Sequence, residues 1–214
     1  MRLGKRRRDL VSLAHGDVLE ASCGTGRNMQ YYQFGERRTV DENGRATIRG
    51  CRTVTFVDLS APMVEIAQHK FDQIHPDLSA LVNFRVQDVK DTQGPRGNNM
   101  KKKEGRPYYD TIVQTMGLCS LPDPVGTLRH LGTLVDPENG SILLLEHGRS
   151  YYGWLNGILD NLALAHADKH GCWWNRDIRA IVRQSGLEVV KEKRWHLGTT
   201  WMYILRVRKN EEGK

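Results

Sequence analysis

The residues best placed to do chemistry begin with Val18-Leu19-Glu20-Ala21-Ser22-Cys23-Gly24-Thr25-Gly26-Arg27-Asn28. An apolar run ends in an acid and passes into a Gly-x-Gly turn, where glycine lets the backbone reverse sharply and lets a ligand come close. An ordinary strand-to-helix turn can look the same, so the surroundings decide. A dinucleotide fingerprint needs a third glycine three residues further on, under a pyrophosphate-binding helix; Met29 stands there instead. Glu20 also brings negative charge toward any phosphates and suits a cationic ligand group better. Asp58 closes the run Thr53-Val54-Thr55-Phe56-Val57, the position from which an acid accepts hydrogen bonds from both ribose hydroxyls, usually about 20 residues after the glycine turn. Gly26 and Asp58 are 32 positions apart, and the polar stretch 35–50 accounts for the excess. Asp88 follows a third apolar run, within reach of an adenine amino group, with the backbone amide of Val89 beside it. A fourth run, Tyr109 to Leu118, brings Gln114, Thr115 and Met116 to the place where a transferred group would sit.

His147 follows a fifth run on the same edge and is the first candidate for a catalytic base, with capping or packing as its alternative role. His166 and His170 share a helix face with Cys172 just beyond, but the spacing and ligand count are not those of a zinc site, so no metal is expected. Cys23, Cys51, Cys119 and Cys172 are scattered without a Cys-x-x-Cys pair, which points away from a disulfide framework and toward a reducing compartment.

The elements that must position these groups alternate between strand-like and helix-like runs, the signature of an α/β chain with a mostly parallel sheet. Strands are expected at 17–21, 53–57, 81–86, 110–114 and 141–145. Helices are expected after Ser60, at Asp123-Pro124 and from Asn175 to a terminating Gly186. The runs 187–195 and 200–208 form an antiparallel hairpin. The apolar spacing of Trp154, Leu155, Ile158, Leu159 and Leu162 reads first as core, with a role in an acceptor pocket as the second reading. Residues 35–50 and 91–107 are polar and unpatterned and read as surface insertions in a single domain spanning 1–214.

The chain has 214 residues, 39% hydrophobic and 27% charged, enough for one packed core and too ordered in pattern for disorder. Its apolar runs fall short of the roughly 20 residues a spanning helix needs. A net charge of +7 permits contact with nucleic acid or an anionic membrane without establishing it. Lys5, Arg6, Arg7 and Arg8, like Lys101, Lys102, Lys103 and Arg106, read first as solvated charge.

With these residues in view, the chain resembles the class I, Rossmann-like S-adenosylmethionine-dependent methyltransferases of the type 11 group. The matching segments are LEASCGTGRN, TFVDLS, QDV and YDTIVQTMGL. The C-terminal half looks like the fungal mitochondrial Oms-type methyltransferase-like proteins. The resemblance implies a seven-stranded sheet, parallel 3-2-1-4-5 with an antiparallel 7-6 hairpin and helices on both faces. S-adenosylmethionine is the implied cofactor, with Glu20, Ser22, Gly24, Gly26, Asp58, Leu59, Asp88, Val89 and Gln114 as its contacts. It also implies a mitochondrial location, a cytoplasmic one being the alternative. The acceptor is expected to be a small molecule, lipid-like or thiol-bearing, with no stable nucleic-acid partner and with peripheral membrane contact left open. The competing readings are an RNA or protein methyltransferase, a non-catalytic scaffold, and an NAD-dependent oxidoreductase, the last lacking its third glycine and a Tyr-x-x-x-Lys pair.

Overall fold

The computed structural model describes residues 3–40, 44, 46–95 and 107–208. Its frame is set by β1 (His15–Ala21), whose Val18, Leu19 and Ala21 are fully buried. β1 pairs in parallel with β3 (Ala46–Asp58) on one side and β5 (Thr111–Thr115) on the other. β4 (Val82–Val86) continues the sheet beyond β3, and β6 (Ser141–His147) continues it beyond β5, both in parallel. β8 (Thr200–Arg206) then lies antiparallel to β6, and β7 (Glu188–Trp195) antiparallel to β8. Apart from β2 (Arg37–Val40), the strand order is β4-β3-β1-β5-β6-β8-β7, the expected 3-2-1-4-5-7-6 arrangement.

Alternation along the strands divides the apolar side chains between two cores. Leu19, Ile112, Ile142 and Leu144 face one side and pack with Leu128 and Leu131 of α3 (Pro124–Leu134) and Ile178 and Val182 of α5 (Ile178–Ser185). Val18, Val113, Leu143 and Leu145 face the other, with Leu10 and Val11 of α1 (Leu3–Val11) and Ala67 and Phe71 of α2 (Ala61–Ile74). Asp123 caps α3 by accepting from Gly126 N at 2.8 Å, as expected. The cap of α5 is Asp177, accepting from Ala180 N at 2.9 Å, so that helix starts later than Asn175.

Three expectations change. First, the N-terminal basic cluster is no tail but part of a helix, on which Lys5 and Arg8 stay exposed while Arg6 and Arg7 turn inward. Residues 3–11 form α1, and Arg6 places its guanidinium 4.3 Å from the Trp195 ring centroid, a cation–π contact. Second, residues 35–50 have a pattern. β2 pairs antiparallel with the first part of β3, Arg37 opposite Arg49 and Val40 opposite Ala46, so the stretch forms a hairpin that prolongs the second parallel strand. Its root is fixed where Cys51, fully buried, donates its N–H to Gln33 O at 2.7 Å. Third, α4 (Gly153–His170) is not core: Ala163 is its one buried residue, while Trp154, Ile158 and Leu162 are 64%, 47% and 50% exposed.

Of the segment 91–107, residues 96–106 lie outside the described residues. Its start belongs to the fold: Thr92 is 1% exposed, its hydroxyl accepts from Gln87 Nε2 at 2.8 Å, and its carbonyl accepts from His130 Nε2 at 3.0 Å. Gly94 abuts the Pro107 carbonyl, so the chain leaves and re-enters at one place. Replacing 96–106 by a short glycine linker is therefore expected to shift the melting temperature by no more than about 5 °C, since closure entropy varies only logarithmically with length. Removing all of 91–107 should cost clearly more, and equal melting temperatures for the two deletions would show that Thr92 holds nothing together.

Candidate active site

Parallel pairing brings the C-terminal ends of β1, β3, β4, β5 and β6 to one edge, and β1 sits where the strand order reverses, the place such sheets bind ligands. Backbone bonds tie these ends together. Cys23 N donates to Val57 O at 2.9 Å, Gln87 N to Asp58 O at 3.0 Å, and Met116 N to Leu145 O at 2.8 Å. Ser22 and Met116, which follow β1 and β5, both take left-handed backbone angles (φ 54° and 55°). Strained non-glycine residues of this kind persist where surrounding structure enforces them, commonly at functional sites.

Glu20 lies near the end of β1 at 2% exposure. Its Oε1 accepts from Asn28 Nδ2 at 3.0 Å and its Oε2 from the Tyr32 hydroxyl at 2.6 Å. Burial pushes this carboxyl up to about 7, against the pull of those two hydrogen bonds and of Arg7. Arg7 reaches in from α1, donating through Nη1 to Asn28 Oδ1 at 2.9 Å and to Thr115 Oγ1 at 2.7 Å. Sequence reasoning missed Arg7, Asn28 and Tyr32. Only the helical spacing that buries Leu10 and Val11 while turning Arg7 the same way signalled Arg7, and the run of four basic residues masked it.

The glycine turn does two jobs. A Cβ on Gly24 (φ 53°) would project into open space, which leaves that side of the loop free for a ligand. A Cβ on Gly26 (φ 69°) would collide with Met29 Sδ. Met29, where a dinucleotide fold has its third glycine, is thus a buried plug beneath the turn. Gly26→Ala is expected to cost about 1–2 kcal/mol of stability from backbone strain and collision, whereas Gly24→Ala should cost no more than about 1 kcal/mol and act mainly on ligand affinity. Denaturant titration of both variants checks this, and equal losses would contradict it.

Asp58 connects the turn to the next strand: Oδ2 accepts from Gly24 N at 2.9 Å and Oδ1 from Ser60 N at 3.0 Å. The carboxylate is half-buried, and each oxygen accepts one of these bonds with capacity for another. Leu59 beside it is 71% exposed, an apolar surface at the cleft rim. Asp88 caps the short turn Val89–Asp91, its Oδ1 accepting from Lys90 N at 2.9 Å, and Val89 is buried beneath it. Gln114 is fully buried, yet among the described residues neither its Oε1 nor its Nε2 has a partner. It lies against Gly117, where an added Cβ would meet both the Gln114 amide and Ser22. A buried, unpaired amide is costly unless a ligand completes it.

His147, the candidate base, ends β6 with its Nε2 2.8 Å from Cys172 Sγ. Cys119 joins this pair, the three ligand atoms lying within 4.8 Å of one another. The hydrogen bond from Cys119 lowers the Cys172 thiol, while Cys119, held protonated by that bond and by burial, is pushed up to about 12. His170 does not join; His166 instead donates through Nδ1 to Cys172 O at 2.9 Å and stacks on Trp174.

The acids at the ends of β1 and β3, the glycine turn between them and the unpaired amide on β5 gather at one edge of the sheet. The strand order with these strand ends gathered at one edge is that of a Rossmann-like methyltransferase domain. The methyltransferase domain family matches residues 2–192. Methyltransferase OMS1, mitochondrial, of Saccharomyces cerevisiae is 40% identical over 217 residues, covering 98% of this chain, and the chain spans 43% of that protein's length. Among solved structures, a putative methyltransferase of Bacillus halodurans has a TM-score of 0.62 at 11% identity, covering 89% of this chain and 71% of the other. Magnesium protoporphyrin IX methyltransferase of Synechocystis, with bound S-adenosylhomocysteine, has a TM-score of 0.57 at 17% identity, covering 96% of this chain and 84% of the other. These two share the fold. The chain belongs to the methyltransferase domain family, whose cofactor is S-adenosylmethionine.

Proposed function

We propose that this chain transfers a methyl group from S-adenosylmethionine to a small acceptor, lipid-like or thiol-bearing, and that it works in mitochondria as the name of its yeast relative suggests. Bound in the cleft, the cofactor supplies a methyl group already activated for displacement by its sulfonium charge. The chain's task is then mainly to position the reactants and keep water out. In this reading Asp58 accepts from the ribose hydroxyls, Leu59 packs on the adenine, and Asp88 and Val89 meet its polar edge. Glu20 and Ser22 with Gly24 and Gly26 surround the methionine portion, and the Gln114 amide finds its missing partner there. A hydroxyl or thiol acceptor must also lose a proton. His147 is the imidazole on that edge, but its Nε2 is committed to Cys172.

The observation that carries the acceptor class is α4. It leaves β6 at the ligand edge with Trp154, Ile158 and Leu162 exposed, and Tyr152 and Trp173 stand exposed at its two ends. Arg6 and Arg7, by contrast, are packed into the fold and withdrawn from phosphate binding. No helix among the described residues is long and apolar enough to cross a membrane. The test is methyl transfer from labelled cofactor to total RNA, to protein extract and to an organic-soluble fraction containing quinols and alkyl thiols. Label is expected chiefly in the last. Label in RNA, with activity collapsing at moderate salt, would instead mark phosphate-driven recognition.

A further inference from the structure

Cys119 lies in the loop after β5, His147 at the end of β6, and Cys172 directly after Gly171, the left-handed cap of α4. The fold converges these three distant positions: all their ligand atoms lie within 4.8 Å of one another. Cys119 and Cys172 are 2% and 7% exposed, and both are free thiols. Backbone bonds hold the cluster from several sides. Trp173 N donates to Cys119 O at 3.0 Å, Gly148 N to Thr199 O at 2.9 Å, and Arg149 N to Arg176 O at 2.9 Å.

We propose that Cys119, His147 and Cys172 bind a zinc(II) ion through two thiolates and one imidazole nitrogen, leaving a fourth position for water or a thiol. Zinc bonds of about 2.3 Å to sulfur and 2.0–2.1 Å to nitrogen place tetrahedral ligand atoms roughly 3.5–3.8 Å apart. No pair in the cluster is separated by more than 4.8 Å, and the 2.8 Å approach of His147 Nε2 to Cys172 Sγ needs to open by no more than about 1 Å. Binding breaks two S–H bonds, forms two Zn–S bonds and releases both protons to solvent. Two thiolates neutralise the dication, so the ion with its three ligands carries no net charge and avoids the penalty of an unpaired buried ion. Soft sulfur with imidazole selects zinc over magnesium or calcium. A set of two cysteines and one histidine with one open position belongs to catalytic rather than structural zinc. Cys119 is three residues beyond Met116 and His147 ends β6, so the cluster lies at the ligand edge of the sheet, and the open position with it. A thiol taking it would be held as thiolate, the nucleophilic form.

The site stands on ligand geometry and does not depend on the methyltransferase reading, because its test reads the metal. Tag-free protein, stripped by chelator under reducing conditions, is titrated with zinc against a chromophoric chelator and with cobalt(II) as a spectroscopic probe. One equivalent of zinc is expected, with a thiolate-to-cobalt charge-transfer band and tetrahedral d–d bands. Cys119→Ser and Cys172→Ser should each weaken zinc binding by at least about tenfold, the loss of one charged ligand. Adding 2-mercaptoethanol should raise the charge-transfer intensity by about half as the thiolate count goes from two to three. Sub-stoichiometric zinc, or undiminished binding in both serine variants, overturns the proposal. If those variants fail to fold, the absence of a charge-transfer band in the cobalt wild type overturns it equally. A band unmoved by 2-mercaptoethanol would refute the open position.

Discussion

Replacing Asp58 by alanine is expected to weaken binding of S-adenosylmethionine and S-adenosylhomocysteine by at least about tenfold in calorimetry, a loss of about 1.4 kcal/mol or more. The carboxylate holds Gly24 N at 2.9 Å and Ser60 N at 3.0 Å while standing half-open to the cleft. On the proposed function two contributions fall together: charge-assisted hydrogen bonds to the ligand's ribose, each on the order of 1.5–3 kcal/mol, and the anchoring of the glycine turn against β3. Folding stability should drop by only about 1 kcal/mol, because water reaches the two freed N–H groups. Asp58→Asn is no neutral control, since its amide NH2 would face one of those N–H donors. Asp88→Ala is the better comparison. Its carboxylate caps one short turn through Lys90 N, so its effect on affinity should be several-fold smaller. Affinity within about threefold of wild type for Asp58→Ala would remove this acid from the site.

The sheet was legible because its strands, buried on both faces, write near-continuous apolar runs such as Ile142-Leu143-Leu144-Leu145. The place of the glycine turn just after β1 and of Asp58 at the end of β3 was legible too, because Gly-x-Gly and an acid closing a β-branched run mark where such strands stop. What stayed hidden was set by tertiary neighbours. β2 escaped because Arg37-Arg38-Thr39-Val40 lies on an exposed hairpin with no buried face to impose alternation. α4 shows helical apolar spacing, yet spacing says only which residues share a face and not whether anything covers it. The Cys119, His147 and Cys172 cluster has no local motif at all. Its members are brought together by the β5–β6 pairing and by the chain's return after α4, so a search for Cys-x-x-Cys spacing could not find it. The sequence signal nearest to it, the His166 and His170 pair, proved to be packing.

Glu20→Gln should change the pH dependence of both stability and cofactor affinity. In the folded chain the Glu20 carboxyl is raised to about 7 by burial, while in the unfolded chain it titrates near its ordinary value of 4.5. Between those two values the native state binds more of this proton than the unfolded state does. The group's contribution to stability is therefore complete below about 4.5 and is lost as pH rises through about 7, an amount on the order of 3 kcal/mol. Glutamine removes the titration and keeps the geometry. Its carbonyl still accepts from Asn28 Nδ2, and its NH2 donates to the Tyr32 hydroxyl, which turns from donor to acceptor. Urea denaturation from pH 5 to 8 is thus expected to show wild type losing stability relative to Glu20→Gln. The other buried carboxylate, Glu146, is present in both proteins and cancels in the difference. Affinity should move the opposite way. A cationic ligand favours the ionised carboxylate, so wild-type binding strengthens as pH rises toward 7 and releases a proton, seen as a dependence of the calorimetric heat on buffer. In Glu20→Gln binding is weaker at pH 8 and flat with pH. Parallel profiles for the two proteins would mean that Glu20 is already ionised in the free chain and that Arg7, Asn28 and Tyr32 offset its burial.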